Sequence, residues 1–158
     1  MIKKLIAFVL VLPLLLCGCV TQNNSTELTF YYVSHKQPYY EKNGVIGTEV
    51  KPVSIDPLNH KDIFELYLSG PKSKDLTLPF PKETKIVKFS IEQDVVNIVL
   101  DNSFATLSGV ELSLACACIS LTANSITGYT KVNISAQSAL LDGIQSISID
   151  TNSLIITE

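Results

Sequence analysis

The sequence predicts a single α+β domain, with a mixed or antiparallel sheet and two helices packed on one of its faces. Two separate segments carry apolar residues at helical spacing, and several others alternate apolar with polar residues, as half-buried strands do. Turn residues separate these segments, and no internal repeat is present. The predicted order of elements is β-β-α-β-β-α-β-β.

The start of the chain has the form of a bacterial lipoprotein leader. Two lysines precede an apolar run at 5–16 that is short for a membrane span. The sequence L-C-G-C at 16–19 then matches a lipobox, in which a small residue precedes the cysteine that receives lipid. Cys19 follows glycine and fits, whereas Cys17 follows a bulky leucine. We expect residues 1–18 to be the leader; an ordinary secretory signal and an uncleaved anchor are the alternatives.

Residues 19–27 are predicted to be a flexible tether, because they are polar and lack any periodicity. Residues 28–158 would then form the folded domain. Acylation at Cys19 makes membrane lipid the first predicted partner, and it places the domain at the outer face of the cell membrane.

The domain begins with an aromatic strand at 28–33, and a second strand is predicted at 45–55, where Pro52 favours a sheet edge. The intervening loop contains Tyr39 and Tyr40. Exposed aromatic side chains can line a groove for glycan or peptide, so these two are the candidate ligand surface. The alternative is that they are core or ordinary surface residues.

The first helix is predicted to begin with Asp56 as N-cap and Pro57 at the first helical position. Gly70 would end it in a left-handed conformation. The apolar face of this helix is predicted from spacing to hold Ile63, Leu66 and Tyr67.

A β-hairpin follows a loop rich in leucine and proline. The first strand is predicted to turn Val87, Phe89 and Ile91 inward, and the second Val96, Ile98 and Leu100, across a turn at 92–94. Phe104 would anchor the next loop in the core.

The second helix is predicted over residues 110–125. Its proposed inner face is Leu114, Ala117, Cys118, Leu121 and Ser125, flanked by Ala115, Ile119 and Thr122. No charged residue lies within 112–130, which is unusual for a surface helix. Either the helix is buried in the sheet groove with Ser, Thr and Asn outward, or its uncharged face meets another subunit or partner.

The remaining chain is predicted to be strands at 131–137 and 144–150, joined by an Asp142-Gly143 turn. Ile147 and Ile149 would point inward. A last short strand is predicted at 154–157.

The order of these elements resembles the GerMN domain of sporulation and germination lipoproteins. The resemblance covers roughly residues 28–137 and is carried by Leu68, Gly70, Pro71, Lys72, Leu78, Pro79, residues 81–84, Ile98, Leu100, Phe104, Val132 and Ile134. It implies a non-catalytic domain in a sporulation or germination setting; some members of the family resemble ring-building domains of envelope channels. Asp94 stands where the family usually has glycine, and the tail after Gln137 departs from the usual ending.

Composition argues against several functions. All 12 basic residues are lysine and 15 residues are acidic, and loss of the leader would make the domain more acidic still. Nucleic-acid recognition relies on arginine and a basic field, so nucleic acid is not expected as a partner. No cluster has the spacing of a metal or cofactor site, and none is predicted.

The catalytic patterns in the chain are weak. Ser69 and Lys72 match S-x-x-K, but Gly70 and Pro71 between them would break the helix that this chemistry requires. His35 and His60 are predicted to be exposed, and Asp62 and Glu65 to lie on a solvated helix face. Cys116 and Cys118 point in different directions on one helix, so they are expected to be buried and unpaired.

These observations predict a non-catalytic, membrane-anchored lipoprotein that assembles or interacts with other molecules in the cell envelope. A protein partner or a second copy of the chain is the expected contact. A module that binds cell-wall glycan or peptide, including peptidoglycan, is the alternative.

The lipobox gives a direct test. Cys19→Ala should abolish incorporation of labelled fatty acid, because the acceptor thiol is removed, while Cys17→Ala should leave most of it. Metabolic labelling of the two variants and the parent measures this, and equal labelling of Cys19→Ala and parent would show that the site is misassigned.

Overall fold

The computed structural model describes residues 25–35, 45–54 and 59–154. Within them are seven strands, two α-helices and two short 3-10 helices. The α+β class and the mixed strand pairing are confirmed, but the strands form two sheets where the sequence suggested one. The difference arises because the second helix lies between the sheets and not on one outer face.

The first sheet has the order β2-β1-β3 and is antiparallel. Its strands are β1 (Ser25–Ser34), β2 (Ile46–Ser54) and the very short β3 (Leu76–Thr77). β2 is an edge strand, as its proline predicted. β1 begins three residues before the predicted domain start, so residues 25–27 belong to a strand and not to the tether. They pair with the end of β2 while their polar side chains stay exposed, which is why hydropathy did not reveal them.

The second sheet has the order β4-β5-β6-β7. Its strands are β4 (Ile86–Glu92), β5 (Val95–Leu100), β6 (Lys131–Ala136) and β7 (Ser146–Asp150). β5 and β6 run parallel, and the second helix is the crossover that connects them; the other two pairings are antiparallel.

Helix α1 (His60–Leu68) begins later than predicted. Its N-cap is Asn59, whose side chain accepts a hydrogen bond from the Asp62 amide at 3.0 Å, and the Asp62 carboxylate accepts one from the Asn59 amide. The prediction of Asp56 as N-cap is therefore wrong, and residues 55–58 lie outside the described parts of the chain. The C-terminal end is as predicted, with Gly70 at φ +93°.

The buried face of α1 also differs from the prediction. Phe64 is fully buried, whereas Leu66 is 42% exposed. Ile63 and Tyr67 are buried as expected. The consecutive residues Ile63 and Phe64 both point inward, because the helix packs on an aromatic cluster that contacts both side chains.

That cluster is centred on the Tyr67 ring. The rings of Tyr32, Phe64, Phe80 and Phe30 lie around it with centroids 5.1, 5.3, 5.6 and 5.9 Å away. Aromatic pairs at such distances add to the area they bury. The cluster joins β1, α1 and the loop after β3 into one core.

The β4–β5 hairpin has two irregularities. A bulge between Ile86 and Lys88 shifts the register, so Ile86 is buried and Val87, predicted to point inward, is 41% exposed. The turn places Gln93 and Asp94 at positive φ, which Asp tolerates better than most non-glycine residues. The inward residues of β5 are buried as predicted.

Helix α2 (Gly109–Thr127) packs against β1 on one side and against β6 and β7 on the other. By length and composition alone it could cross a membrane, but half of its most apolar stretch is buried inside the domain. Its central residues, 118–123, are all buried. Because the middle is covered on both sides, burial explains the absence of charge there. Of the Ser, Thr and Asn residues predicted to face outward, Ser120 and Thr122 are buried, whereas Ser113 is exposed.

The hydroxyl groups of α2 have a defined role. β1 pairs with β3 only at Val33 and Ser34, so most of that edge of β1 has no neighbouring strand among the residues that the structure describes. The Thr29 amide instead donates to Ser125 Oγ, and the Tyr31 amide to Thr122 Oγ1, each at 3.0 Å. The helix thus covers a strand edge and supplies acceptors for its backbone donors.

The end of the domain follows the prediction in part. The turn at Asp142-Gly143 is present, with both residues at positive φ, but β7 starts only at Ser146. After β7 the chain forms a 3-10 helix, Thr151–Ser153. The predicted strand at 154–157 lies, except for Leu154, outside the described residues.

The contact between α2 and β1 can be tested with Thr122→Val, which keeps the shape of a fully buried side chain but removes the acceptor. Leaving the Tyr31 amide without a partner should lower the free energy of unfolding by about 1–3 kcal/mol. Thr106→Val, at an exposed threonine, is the matched control and should stay within about 0.5 kcal/mol. Urea denaturation of both variants measures the difference, and equal losses would contradict this account.

Candidate functional surface

Three residues predicted from sequence to contact other molecules lie outside the described parts of the chain. They are Cys19, the expected lipid attachment site, and Tyr39 and Tyr40, the candidate ligand surface. Their roles therefore remain predictions. The aromatic residues just before them are placed: Phe30 and Tyr32 are fully buried, as strand alternation requires, and Tyr31 is half-buried on the other face.

The serine and lysine of the S-x-x-K match do not form a catalytic pair. Ser69 Oγ donates to the Leu66 carbonyl oxygen at 2.6 Å, so it closes the last turn of α1. Lys72 lies beyond the left-handed Gly70 and is exposed, with its backbone amide donating to Glu49. The helix end separates the two side chains, as the sequence indicated.

The structure also places the two histidines and the carboxylate pair that were considered from the sequence. His35 and His60 are exposed on different elements. Asp62 belongs to the N-terminal cap of α1, and Glu65 forms an exposed ion pair with Lys61 at 3.7 Å. These carboxylates do not converge on a common point.

Cys116 and Cys118 are buried free thiols, as predicted. Burial raises the pKa of both from 9.0 to about 12, so each remains a protonated thiol near neutral pH. A protonated, buried thiol is a poor nucleophile and metal ligand. Among the described residues there is no cluster of three or more His, Cys, Asp and Glu able to hold a metal ion.

A polar cluster on β2 was not foreseen. Lys51 Nζ lies 2.9 Å from the Gly70 carbonyl oxygen and 3.2 Å from Glu49 Oε1, and it sits 5.3 Å from the centre of the Phe30 ring. Glu49 Oε2 accepts the amides of Lys72 and Ser73 at 2.9 and 3.0 Å. The cluster fastens the chain that leaves α1 to the first sheet, so its role is structural.

An apolar groove is the most distinctive surface feature. It lies between the first turns of α2 and the inner face of β7, with a volume of about 600 Å³. Leu112, Cys116, Ile147, Ile149 and Leu154 are among the residues that line it. The groove forms because the C-terminal sheet is only half-covered here, as the intermediate burial of β7 shows.

The rim of this groove combines exposed apolar side chains with one acidic side chain, that of Asp142. Val110 is 83% exposed and Ile144 is 55% exposed, and both line the groove. Asp142 also lines it and accepts the Gly109 amide at 3.2 Å, while Glu111 is exposed in the first turn of α2. No lysine is among the lining residues.

The sequence contained one signal for this groove. The absence of charge at 112–130 left two alternatives for the helix, burial or contact with a partner; the structure shows burial of its middle, and contact with a partner stays a prediction. Its middle is buried, whereas its first turn exposes Val110. Ile144 was predicted as the first residue of a strand, but β7 starts only at Ser146, so Ile144 lies in the preceding loop and lines the groove.

The fold and this surface define a small α+β domain with an open apolar groove. The chain belongs to the family described as Germane, sporulation and spore germination, whose profile matches residues 29–142. The match extends over more than half of the chain, and the resemblance to GerMN domains is confirmed. None of the curated proteins matches the chain significantly.

Solved structures show the same fold. A Clostridium perfringens protein described as a "putative lipoprotein" gives a TM-score of 0.51 at 22% identity, over 81% of this chain and 89% of that one. The first GerMN domain of the sporulation protein GerM from Bacillus subtilis gives a TM-score of 0.58 at 18% identity, over 79% of this chain and 96% of that domain. The tandem GerMN domains of GerM give a TM-score of 0.61 at 18% identity, over 85% of this chain and 49% of the tandem chain. This chain therefore spans about half of the tandem pair.

The Glu49 cluster predicts a pH dependence of stability. Desolvation opposes the charged form of Glu49, but hydrogen bonds from Ser73, Lys51 and Lys72 outweigh it and lower its pKa below the ordinary 4.5. A lowered pKa in the folded state gives stability that is complete above the ordinary value and is lost as pH falls through the lowered one.

Melting temperatures of the parent and Glu49→Gln should therefore differ most near neutral pH and converge as the pH falls below 4.5 and through the lowered pKa. Glu83→Gln, at an exposed glutamate, is the control and should track the parent. A difference between parent and Glu49→Gln that stays constant over this range would contradict the assignment.

Proposed function

We propose that this protein is a lipoprotein anchored through Cys19 to the outer face of the cytoplasmic membrane, where its GerMN domain acts as a non-catalytic assembly module. The observation that carries the interaction role is the open apolar groove with Val110 and Ile144 exposed at its rim. Exposed apolar surface of this kind is typical of protein contact sites.

The lipobox supports the location. Two acyl chains provide stable anchoring, whereas one gives only marginal binding. The acidic net charge of −3 for the whole chain would not draw the domain to anionic lipid, so the acyl group would be the principal attachment. The likeness in fold to a Clostridium perfringens protein described as a lipoprotein is consistent with this location.

The family match supports the biological setting. Membership in a sporulation and spore germination family makes the envelope of a developing or germinating spore the setting we propose for assembly. The described polar groups are consistent with the non-catalytic role, since Ser69 and both buried thiols each have a structural explanation.

Cross-linking in membranes of the source bacterium tests the proposal. The parent should appear in the membrane fraction and in a cross-linked species larger than the monomer, detected by native mass spectrometry. Cys19→Ala should lose both, because the domain would no longer be held at the membrane. A parent that is always monomeric and without partners would count against assembly.

Retention on purified peptidoglycan separates this proposal from the alternative. An assembly module should show equal retention with and without the changes Tyr39→Ala and Tyr40→Ala. A loss of retention in that double variant would favour the wall-binding module instead.

A further inference from the structure

The three longer sheet edges differ in how they are protected from pairing with another chain. Edge strands in natural proteins usually carry lysine, proline or a bulge that blocks such pairing. β2 contains Glu49, Lys51 and Pro52, and β4 contains a bulge together with Lys88 and Glu92. Both edges are therefore closed to a further strand.

β7 has none of these protecting features. Its sequence is SISID, with one charged residue, at its end, and its pairing with β6 is regular throughout. Within the described residues no strand pairs with its other side. β7 is thus the open edge of the second sheet.

The apolar groove lies beside this open edge. Ile147 and Ile149 of β7 line it from one side, and Val110 and Leu112 of α2 line it from the other. A strand added to β7 would turn every second side chain toward the groove, because side chains alternate along a strand. Backbone pairing and apolar burial would then be available to the same segment.

The charges at the groove specify the occupant further. Asp142 lines the groove and is acidic, and the lining residues include no lysine. A second copy of the chain would bring the same carboxylate to its own side of the contact, whereas a segment with a basic residue would complement it.

We propose that β7 and the adjoining groove form a docking site for an extended segment of another protein, with alternating apolar side chains and at least one lysine or arginine. This inference rests on the proposed assembly role and names the surface for it. Binding is by strand addition: the backbone supplies affinity, and the groove with its acidic rim supplies selectivity.

The test uses the full mature protein. If the protein is acylated, it is inserted into lipid nanodiscs, and empty nanodiscs serve as the blank. The probe is a fluorescent peptide, Lys-Val-Thr-Val-Thr-Val-Lys, and a second peptide has both lysines replaced by glutamate. The lysine peptide should bind about tenfold more tightly at low salt. Added salt should reduce this ratio, because it screens exposed charges.

Hydrogen exchange locates the peptide. Binding should slow exchange of the amides in β7 and leave β2 and β4 unchanged, because β7 is the unprotected edge among the three longer edges of the described sheets. Protection at β2 or β4, or none at any strand, would overturn the proposal.

Matched variants separate the contributions. Val110→Ser and Ile144→Ser should each weaken the lysine peptide by about fivefold, since each removes exposed apolar contact area. Asp142→Asn should reduce the preference for the lysine peptide, because it removes the negative charge and keeps an acceptor for the Gly109 amide. Val87→Ser, at a comparably placed valine on the protected β4 edge, should change nothing. Thermal melts confirm that the variants fold.

Two other occupants would overturn the proposal. Sedimentation that shows a dimer lost in Ile144→Ser would assign the groove to a second copy. If the peptide binds only to the double variant Ile155→Lys and Ile156→Lys, the groove would be assigned to the apolar end of this chain as its occupant. Absence of binding to the parent with cross-linking in membranes intact would reject this surface and leave the anchored assembly role standing.

Discussion

The edge of β1 that faces α2 is the constraint on which the rest of this structure depends. A strand in the middle of a domain cannot leave its amides without acceptors, and here a helix supplies them through Thr122 and Ser125. A helix in that position must be uncharged on the side it shows to the strand. The second sheet then closes over its opposite side, so the helix becomes the shared core of both sheets.

This arrangement links the interior to the surface. The helix is covered on both sides along its middle, but β7 is short and only half-buried, so the cover is incomplete near the first turn of α2. Apolar side chains that belong to the core pattern therefore reach solvent at Val110 and beside it at Ile144. The groove forms beside β7, the last strand of the second sheet, and β7 is also the strand whose outer edge is open.

Much of the fold could be predicted from local chemistry. The strands β5 and β6, the glycine ends of both helices and the burial of both cysteines follow from alternation, positive φ and helical spacing. The predictions failed where a neighbour in space outweighed the local pattern. A bulge exposed Val87, Asn59 rather than Asp56 capped α1, and three polar residues at the start of β1 paired with β2.

The sequence by itself determined the class of fold, the family and the expectation of an acylated Cys19, because these depend on short-range order, spacing and a local processing signal. The tertiary structure decided that the uncharged helix lies between two sheets, that its hydroxyl groups serve a strand edge, and that Val110 and Ile144 meet at one groove. Those features depend on contacts between residues far apart in the chain, which no local pattern encodes.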